Sequence, residues 1–315
     1  MWDVIVIGSG IGGLAAAAAL GRKGPRVLVL EQHGSAGGQT QVFRRGGWTF
    51  PTGVHYLAFV GGKPGLEGQF GRHLDWLTEG AIRFAPLANP YDIVRLPGFE
   101  FAIAHPETSY RADLRERFPG SAAEIEGWFA ACASARQAAF AMFARHGLHS
   151  WAERLVELAT GRDVERWANT TVSSELARIG DERLRAVLGS RWADYGSPPD
   201  RAPFLEHALV TGAYNSGAFY PVGGPERFAE LLIPLVEAAR GELRLNCRLH
   251  EVLVENGRAV GVICRQGNGV VEERAEHVIA AMDASGLAGA LPAEVAPRGR
   301  VYAAWPVLRL PVSRA

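Results

Sequence analysis

Residues 3–31 read Asp-Val-Ile-Val-Ile-Gly-Ser-Gly-Ile-Gly-Gly-Leu-Ala-Ala-Ala-Ala-Ala-Leu-Gly-Arg-Lys-Gly-Pro-Arg-Val-Leu-Val-Leu-Glu, and the reading of this stretch decides the fold. Val4 to Ile7 make the continuous apolar run of a strand covered on both faces, as in a parallel sheet. Gly8, Gly10 and Gly13 follow as G-x-G-x-x-G. The first permits a sharp turn, the second lets a pyrophosphate approach the backbone, and the third lets a helix pack closely on the strand. Gly8, Ser9, Gly10, Ile11, Gly12 and Gly13 are therefore the first candidate cofactor contacts. An alanine-rich helix from Ile11 to about Lys23 stops at Gly24-Pro25. Its free N–H groups and the helix dipole make an anion site without any lysine. Arg26 to Leu30 reads as a second buried strand, ending at Glu31 and Gln32, where a carboxylate can accept hydrogen bonds from an adenosine ribose. Glu31 would repel a ribose 2′-phosphate, so the site suits FAD or NAD better than NADP. A plain glycine-rich turn does not account for strand, triplet, helix, strand and acid in that order.

Composition bounds the rest. A chain of 315 residues holds one large or two ordinary domains, and 48% hydrophobic with 21% charged residues describes a soluble globular protein. The 33 basic and 33 acidic residues cancel, so nucleic acid is not an expected partner. Cys132, Cys247 and Cys264 are odd in number and lack C-x-x-C spacing, which reads as buried free thiols rather than a disulfide framework or a zinc site. His146 and His149 are separated by a span containing Gly147 and have no third ligand nearby, so no metal is expected. The first strand begins almost at Met1, leaving no room for a cleavable leader, and the apolar run Leu14–Leu20 is too short to span a membrane. The expected location is cytoplasmic, with peripheral membrane contact left open. Arg136, Arg145 and Arg154 could rest on anionic lipid, although scattered surface arginines are the commoner explanation.

After a glycine-rich loop through Gly37-Gly38-Gln39, Val42-Phe43, Gly46-Gly47 and Trp48-Thr49-Phe50 read as a hairpin, followed by Pro51-Thr52-Gly53-Val54-His55-Tyr56. This segment resembles the retinol saturase, carotenoid isomerase and phytoene desaturase group of the flavin amine oxidase superfamily. That group has a Gly-Gly pair after the ribose-binding acid and then an Asp-Thr-Gly-Val/Ile-His-Tyr type sequence beside the flavin. Pro51 departs from the usual Asp, and Gln39 from the usual Arg, Lys or Cys. Tyr220-Pro221-Val222-Gly223-Gly224-Pro225 resembles the group's Tyr-Pro-x-Gly-Gly signature, with Pro225 suited to the first turn of a helix running to about Arg240. Leu243–Glu255 and Arg258–Arg265 read as a hairpin closed by Asn256-Gly257. Val278–Ala281 then leads to Met282-Asp283-Ala284, like the strand by which such proteins return to the nucleotide-binding sheet. The resemblance implies FAD as cofactor, held also by Gly37, Gly38, Gln39, Thr52, Gly53, Val54 and His55, with the backbone at Leu249 beside the adenine.

The expected fold is α/β: a Rossmann-like FAD/NAD(P)-binding parallel sheet with an inserted mixed α+β substrate domain. Residues 1–60 and 205–295 are expected to form the discontinuous FAD-binding domain, 61–204 the inserted domain, and 296–315 an unassigned tail. The insert is expected to hold a hairpin, Tyr91–Arg95 with Phe99–Ala104, and a helical region from Asp113 to Gly189. The resemblance implies an oxidoreductase acting on a carbon–carbon bond of an isoprenoid polyene, a carotenoid or retinoid. The flavin would exchange a hydride with a polyene carbon, and His55 and Tyr56 are candidates to move the accompanying proton. Two alternatives stand beside it: a flavin amine oxidase, and a non-catalytic isoprenoid-binding protein of the GDP-dissociation-inhibitor type. Nothing after Asp283 resembles the second glycine-rich segment that grips the ribityl chain in this group. The chain is therefore expected to correspond to the N-terminal portion, and alone to bind FAD weakly without turning over a polyene.

Overall fold

The computed structural model describes residues 1–60, 69–145 and 150–296. His146, His149 and the tail from 297 onward lie outside the described residues. The chain divides into two compact units, one from residues 1–55, 73–83 and 221 onward, the other from 56–72 and 84–220.

The first unit is built on the opening strand. β1 (Trp2–Ile7) pairs in parallel with β2 (Val27–Leu30), and α1 (Ile11–Gly21) connects them. β3 (Val42–Arg45) and β4 (Trp48–Pro51) form the separate hairpin expected around Gly46-Gly47. Later in the chain come α2 (Arg227–Ala238), β5 (Glu242–Arg244), β6 (Cys247–Glu255), β7 (Arg258–Gln266), β8 (Gly269–Ala280) and α3 (Ala284–Ala290). The sheet order is β6-β7-β8-β1-β2-β5. Alternation along β1 explains the unbroken apolar run, because successive side chains go to opposite faces and both faces are covered. Val4 and Val6 pack with Leu14, Ala17 and Ala18 of α1 and Leu232 and Val236 of α2. Ile5 and Ile7 pack with Val252, Val262 and Cys264 from the antiparallel strands.

β8 joins two kinds of ladder. Its first half runs antiparallel to β7, from Gly269 opposite Gln266 to Arg274 opposite Gly261. Its second half runs parallel to β1, from Ala275 beside Trp2 to Ala280 beside Ile7.

Three expectations need correction. The segment read as one strand, Leu243–Glu255, is two: Asn246 has φ of +53°, its N–H bonds to the His33 carbonyl, and the chain breaks between a parallel partner of β2 and an antiparallel partner of β7. Pro225 sits just before α2, whose N-cap is Glu226. The unit boundaries also differ from 61, 204 and 205. Residues 73–83 belong to the first unit, where Leu77 enters the core with Val4 and Leu14. The helix Phe204–Ala213 belongs to the second, because Phe204, Leu205 and Ala208 are buried in its core.

The second unit packs a hairpin, Asp92–Leu96 with Phe99–Ile103, against helices. Phe99, Phe101 and Ile103 alternate inward and meet Tyr110 and Leu114 from the helix Glu107–Arg117. Trp128 and Phe129 from the helix Ala122–Arg145 join the same core. Trp128 meets Phe204 edge-on at 5.1 Å, and Trp167 lies 5.3 Å from the same ring. Among the helical aromatics, Trp128 and Phe129 are thus core, whereas Phe143 and Trp151 are exposed.

Candidate functional site

A cavity of about 890 Å³ opens at the carboxyl ends of β1 and β2, the place where open α/β sheets hold ligands. Gly8 and Gly10 line it beside Glu31, Gln32, Gly38, Gln39, Thr52 and Leu249. Each glycine of the turn has a different physical requirement. Gly8 has φ of +103°, and a Cβ there would lie 2.4 Å from the Ala281 carbonyl oxygen. A Cβ on Gly13 would lie 2.0 Å from the Gly8 oxygen, so α1 can approach the turn only without a side chain at this position. A Cβ on Gly10 would meet nothing within 4 Å. The first and third glycines are demanded by the protein itself, and the space at the second is left for something else.

Ser9 shows how the turn is made ready. A serine one residue before the N-cap could compete for the first N–H groups of α1, but Ser9 is fully buried and turned the other way. Its Oγ donates to Glu31 Oε2 at 2.5 Å and its N–H donates to the same oxygen at 3.0 Å. Gly10 is the N-cap, no side chain caps α1, and its first turn contains no acid. The start of α1 is therefore left without a side-chain acceptor, and its N-cap residue Gly10 lines the cavity.

Glu31 does two jobs. The carboxylate is 5% exposed and also accepts the His33 N–H at 2.9 Å through Oε1. Three of its roughly four acceptor positions are filled by the protein, which leaves one for a ligand hydroxyl in the cavity it lines. Its own backbone carbonyl accepts the Cys247 N–H at 2.8 Å, tying β2 to the start of β6.

The Gly-Gly pair lies against the first turn. Gly37 donates its N–H to the Ser9 carbonyl at 2.9 Å, and a Cβ on Gly38 would come within 3.0 Å of the Gly10 Cα. Gln39 packs on Gly53, where a Cβ would lie 2.4 Å from Gln39 Oε1, and Thr52 Oγ1 donates to the Gln41 carbonyl at 3.0 Å. Thr52 and Gln39 reach the cavity, whereas Gly53, Val54 and the exposed His55 do not line it. Ile11, Gly12, Gly13 and Gly37 support or flank the turn without lining it. Sequence reading missed Met282, Asp283 and Gly286 as lining residues. Asp283 caps α3 by accepting the Gly286 N–H at 2.7 Å, and hydrogen bonds from Ser285 and Gly286 hold its carboxyl below the ordinary aspartate range. The strand-end rule could have found this second helix start, since Ala281 directly follows β8.

Tyr56, in the second unit, belongs to a cluster that no motif announced. Arg191 is 4% exposed, and its Nη1 lies 2.8 Å from Tyr56 Oη, 2.9 Å from Asp92 Oδ2 and 3.1 Å from Asp194 Oδ2. The guanidinium also sits 5.0 Å from the Tyr91 ring centre and 5.1 Å from that of Tyr214. Burial opposes its charge, but the neighbouring phenols and carboxylates outweigh burial and hold it above the ordinary arginine range. Burial pushes the Tyr56 phenol up to about 12, against the pull of Arg191.

Among the described residues no group of three or more His, Cys, Asp or Glu side chains is placed to hold a metal. No helix of the described residues is long and apolar enough to cross a membrane.

A parallel sheet with a glycine turn, an uncapped helix start and a strand-end carboxylate defines a dinucleotide-binding protein of the Rossmann-like class, and residues 6–67 match the NAD(P)-binding Rossmann-like domain family. Residues 106–305 match the flavin containing amine oxidoreductase family, and the chain belongs to that family. Its cofactor is FAD, and the residues present fit the ADP half of that molecule: an open space over Gly10, unfilled helix donors and a free acceptor position on Glu31. The chain is 35% identical over 280 residues to human all-trans-retinol 13,14-reductase, covering 85% of this chain and 45% of that protein. It is 27% identical to the phytoene desaturase (neurosporene-forming) of Cereibacter sphaeroides, covering 84% of this chain and 50% of that one. The chain thus spans about half the length of the curated relatives it matches. An oxidoreductase from Methanosarcina mazei shares the fold with a TM-score of 0.60 at 17% identity, covering 92% of this chain and 61% of that one. Putrescine oxidase shares it with a TM-score of 0.57 at 18% identity, covering 91% and 60%.

Proposed function

We propose that this chain is the dinucleotide-binding part of an FAD-dependent oxidoreductase that acts on a carbon–carbon bond of an isoprenoid polyene, a retinoid or a carotenoid. The observation that carries the FAD part is the division of labour in the turn, where Ser9 is spent on Glu31 and the start of α1 is left uncapped over the space at Gly10. The polyene part is supported by the names of the relatives, a retinol reductase at 35% identity and a phytoene desaturase at 27%. The amine oxidase alternative has the family's description and solved structures at 18% and 19% identity, which speak for fold, whereas the relatives at 27–35% identity are named for polyene substrates.

In this reading the turn from Gly8 to Gly13, with Gly37 and Gly38 behind it, orients the pyrophosphate, Glu31 and Gln32 address the ribose, and the backbone at Leu249 meets the adenine. Gln39, Thr52, Gly53, Val54 and His55 lie further along the cofactor. When bound, the flavin supplies hydride transfer. His55 and Tyr56 are the candidates for the accompanying proton. Tyr56 keeps its phenolic proton at neutral pH, and Arg191 is placed to stabilise the oxygen when that proton leaves. The second unit is read as the substrate domain.

We also infer peripheral membrane contact for a protein handling so apolar a substrate. The β3–β4 hairpin supports this, with Phe43 stacked on Phe50 at 5.2 Å and Trp48 72% exposed opposite Arg45.

FAD titration followed by mass analysis of a retinoid and carotenoid panel tests the proposal. Bound FAD and gain or loss of two hydrogens by a polyene are expected, while oxidation of an amine with polyenes untouched would overturn the substrate class. Glu31→Ala is expected to weaken FAD binding by about 1.5–3 kcal/mol, since it removes hydrogen bonds to a charged group. A loss no larger than that of the surface change Glu79→Ala would remove Glu31 from the site.

A further inference from the structure

The three cysteines are not equivalent. Cys132 lies in the core of the second unit, whereas Cys247 lies on β6 and Cys264 on the paired strand β7. Cys264 stands opposite Leu249 in the ladder, and Cys247 precedes Leu249 by two residues on the same strand face, so the cysteines are diagonal neighbours. Their sulfurs are 2.7 Å apart, inside the ordinary contact distance of unbonded heavy atoms. To bond, the sulfurs must close from 2.7 Å to about 2.05 Å, and because diagonal neighbours sit about 7–8 Å apart at Cα in an ordinary sheet, closure draws β6 and β7 slightly together. Both are buried, at 1% and 0% exposure, but Cys247 is the one that lines the cavity beside Glu31.

We propose that Cys247 and Cys264 are a peroxide-reactive dithiol that closes to an intramolecular disulfide across β6 and β7. Cys247, the residue on the cavity wall, reacts first. Its sulfur takes one oxygen from hydrogen peroxide, the O–O bond breaks, and the products are the Cys247 sulfenic acid and one water. The Cys264 sulfur then attacks the Cys247 sulfur, the S–O bond breaks, and the second water leaves. Two thiols lose two electrons and two protons, and one peroxide becomes two waters. Burial pushes the Cys264 thiol up to about 12, so Cys264 is a poor first nucleophile. The bond would join the strand hydrogen-bonded to Glu31 to the next strand, and reduction by a thiol would reopen it. This inference does not depend on which substrate or cofactor the cavity takes.

The test is to reduce the 315-residue chain, remove reductant, add hydrogen peroxide, then unfold it, alkylate and map the peptides by mass. A peptide pair joined through Cys247 and Cys264 and separated by dithiothreitol, with Cys132 fully alkylated, is the expected result. The Tm of the oxidised chain should rise and fall back on reduction, since the bond constrains the unfolded chain. Cys264→Ser should show no such shift and should leave Cys247 as a sulfenic acid that a dimedone probe captures. Alkylation of all three cysteines after excess peroxide, or a bond from either residue to Cys132, would overturn the proposal.

Discussion

The glycine turn of the first unit and the Arg191 cluster of the second are both buried, polar and held by named contacts, yet they are written into the sequence in opposite ways. At the turn, the constraint is backbone geometry over a few consecutive residues: a positive φ at Gly8 and a 2.0 Å approach at Gly13 exclude side chains outright. Such a constraint leaves a local pattern. The Arg191 cluster joins Asp194, three residues on, to Tyr56, the adjacent pair Tyr91-Asp92, and Tyr214, and nothing in the spacing of these distant segments links them. Its constraint is the energetic one of keeping a buried cation neutralised, which many arrangements of residues could meet. Close backbone approaches are legible in one sequence, and charge compensation assembled in three dimensions is not.

The contrast can be broken first at Gly13. Gly13→Val would drive a side chain into the Gly8 carbonyl, so the first unit should lose more than about 4 kcal/mol or fail to fold. Circular dichroism during thermal unfolding would read this directly, and a soluble variant with unchanged Tm would contradict the packing role.

Next in size is Arg191→Met, which leaves Asp92, Asp194 and three tyrosines around an apolar chain. Removing one side of a buried ion pair costs about 3–5 kcal/mol, seen as a lower urea midpoint. If the second unit tolerates the change within experimental error, the cluster is ornament rather than support.

A smaller effect comes from His207, fully buried in the second unit with Nδ1 2.9 Å from Tyr195 Oη. Burial pushes its pKa down from 6.5 to about 4. The unfolded chain therefore binds the proton first as pH falls, and this contribution to stability is complete above pH 6.5 and lost as pH drops toward 4. The loss should reach up to about 3 kcal/mol, and His207→Gln should flatten the profile in that window. Equal pH dependence in parent and variant would assign the acid sensitivity elsewhere.

The smallest expected effect on stability belongs to Gly10→Val, about 1 kcal/mol, because a Cβ there meets only open space and the main loss is that of a favoured N-cap glycine. FAD binding should nevertheless be abolished. Unchanged FAD affinity in this folded variant would separate the turn from the cofactor. Gly10 and Gly13 are spelled the same way in the sequence, and only the structure tells the glycine kept for the protein from the glycine kept for the ligand.

Elsewhere, legibility follows the same physics. The apolar run Val4–Ile7, the Asn256-Gly257 turn and the Gly46-Gly47 hairpin were readable because period and turn chemistry are local. The break at Asn246 was not, since a non-glycine residue with positive φ carries no strong sequence mark. Most of β8 was also missed. Its outward Glu272 and Arg274 and inward Ala275 dilute the apolar signal, and its strand state depends on β7 and β1. In the site, the glycines, Glu31 and Leu249 were visible, whereas Ser9's bond to Glu31 and Asp283's cap required coordinates.

β8 has a further consequence as a measuring rod. One continuous strand carries both ladders, so its length from the Gln266–Gly269 turn sets where Ala281 arrives against Gly8. A residue deleted within 269–274 could not be absorbed as a loop change. If the antiparallel half kept its pairing, the parallel half would slip by one, turning its inward side chains outward and withdrawing the Ala281 carbonyl from the glycine turn. A peripheral hairpin thus acts as the calliper of the dinucleotide site, and an indel at that distant edge would be felt as a misplaced wall of the cavity.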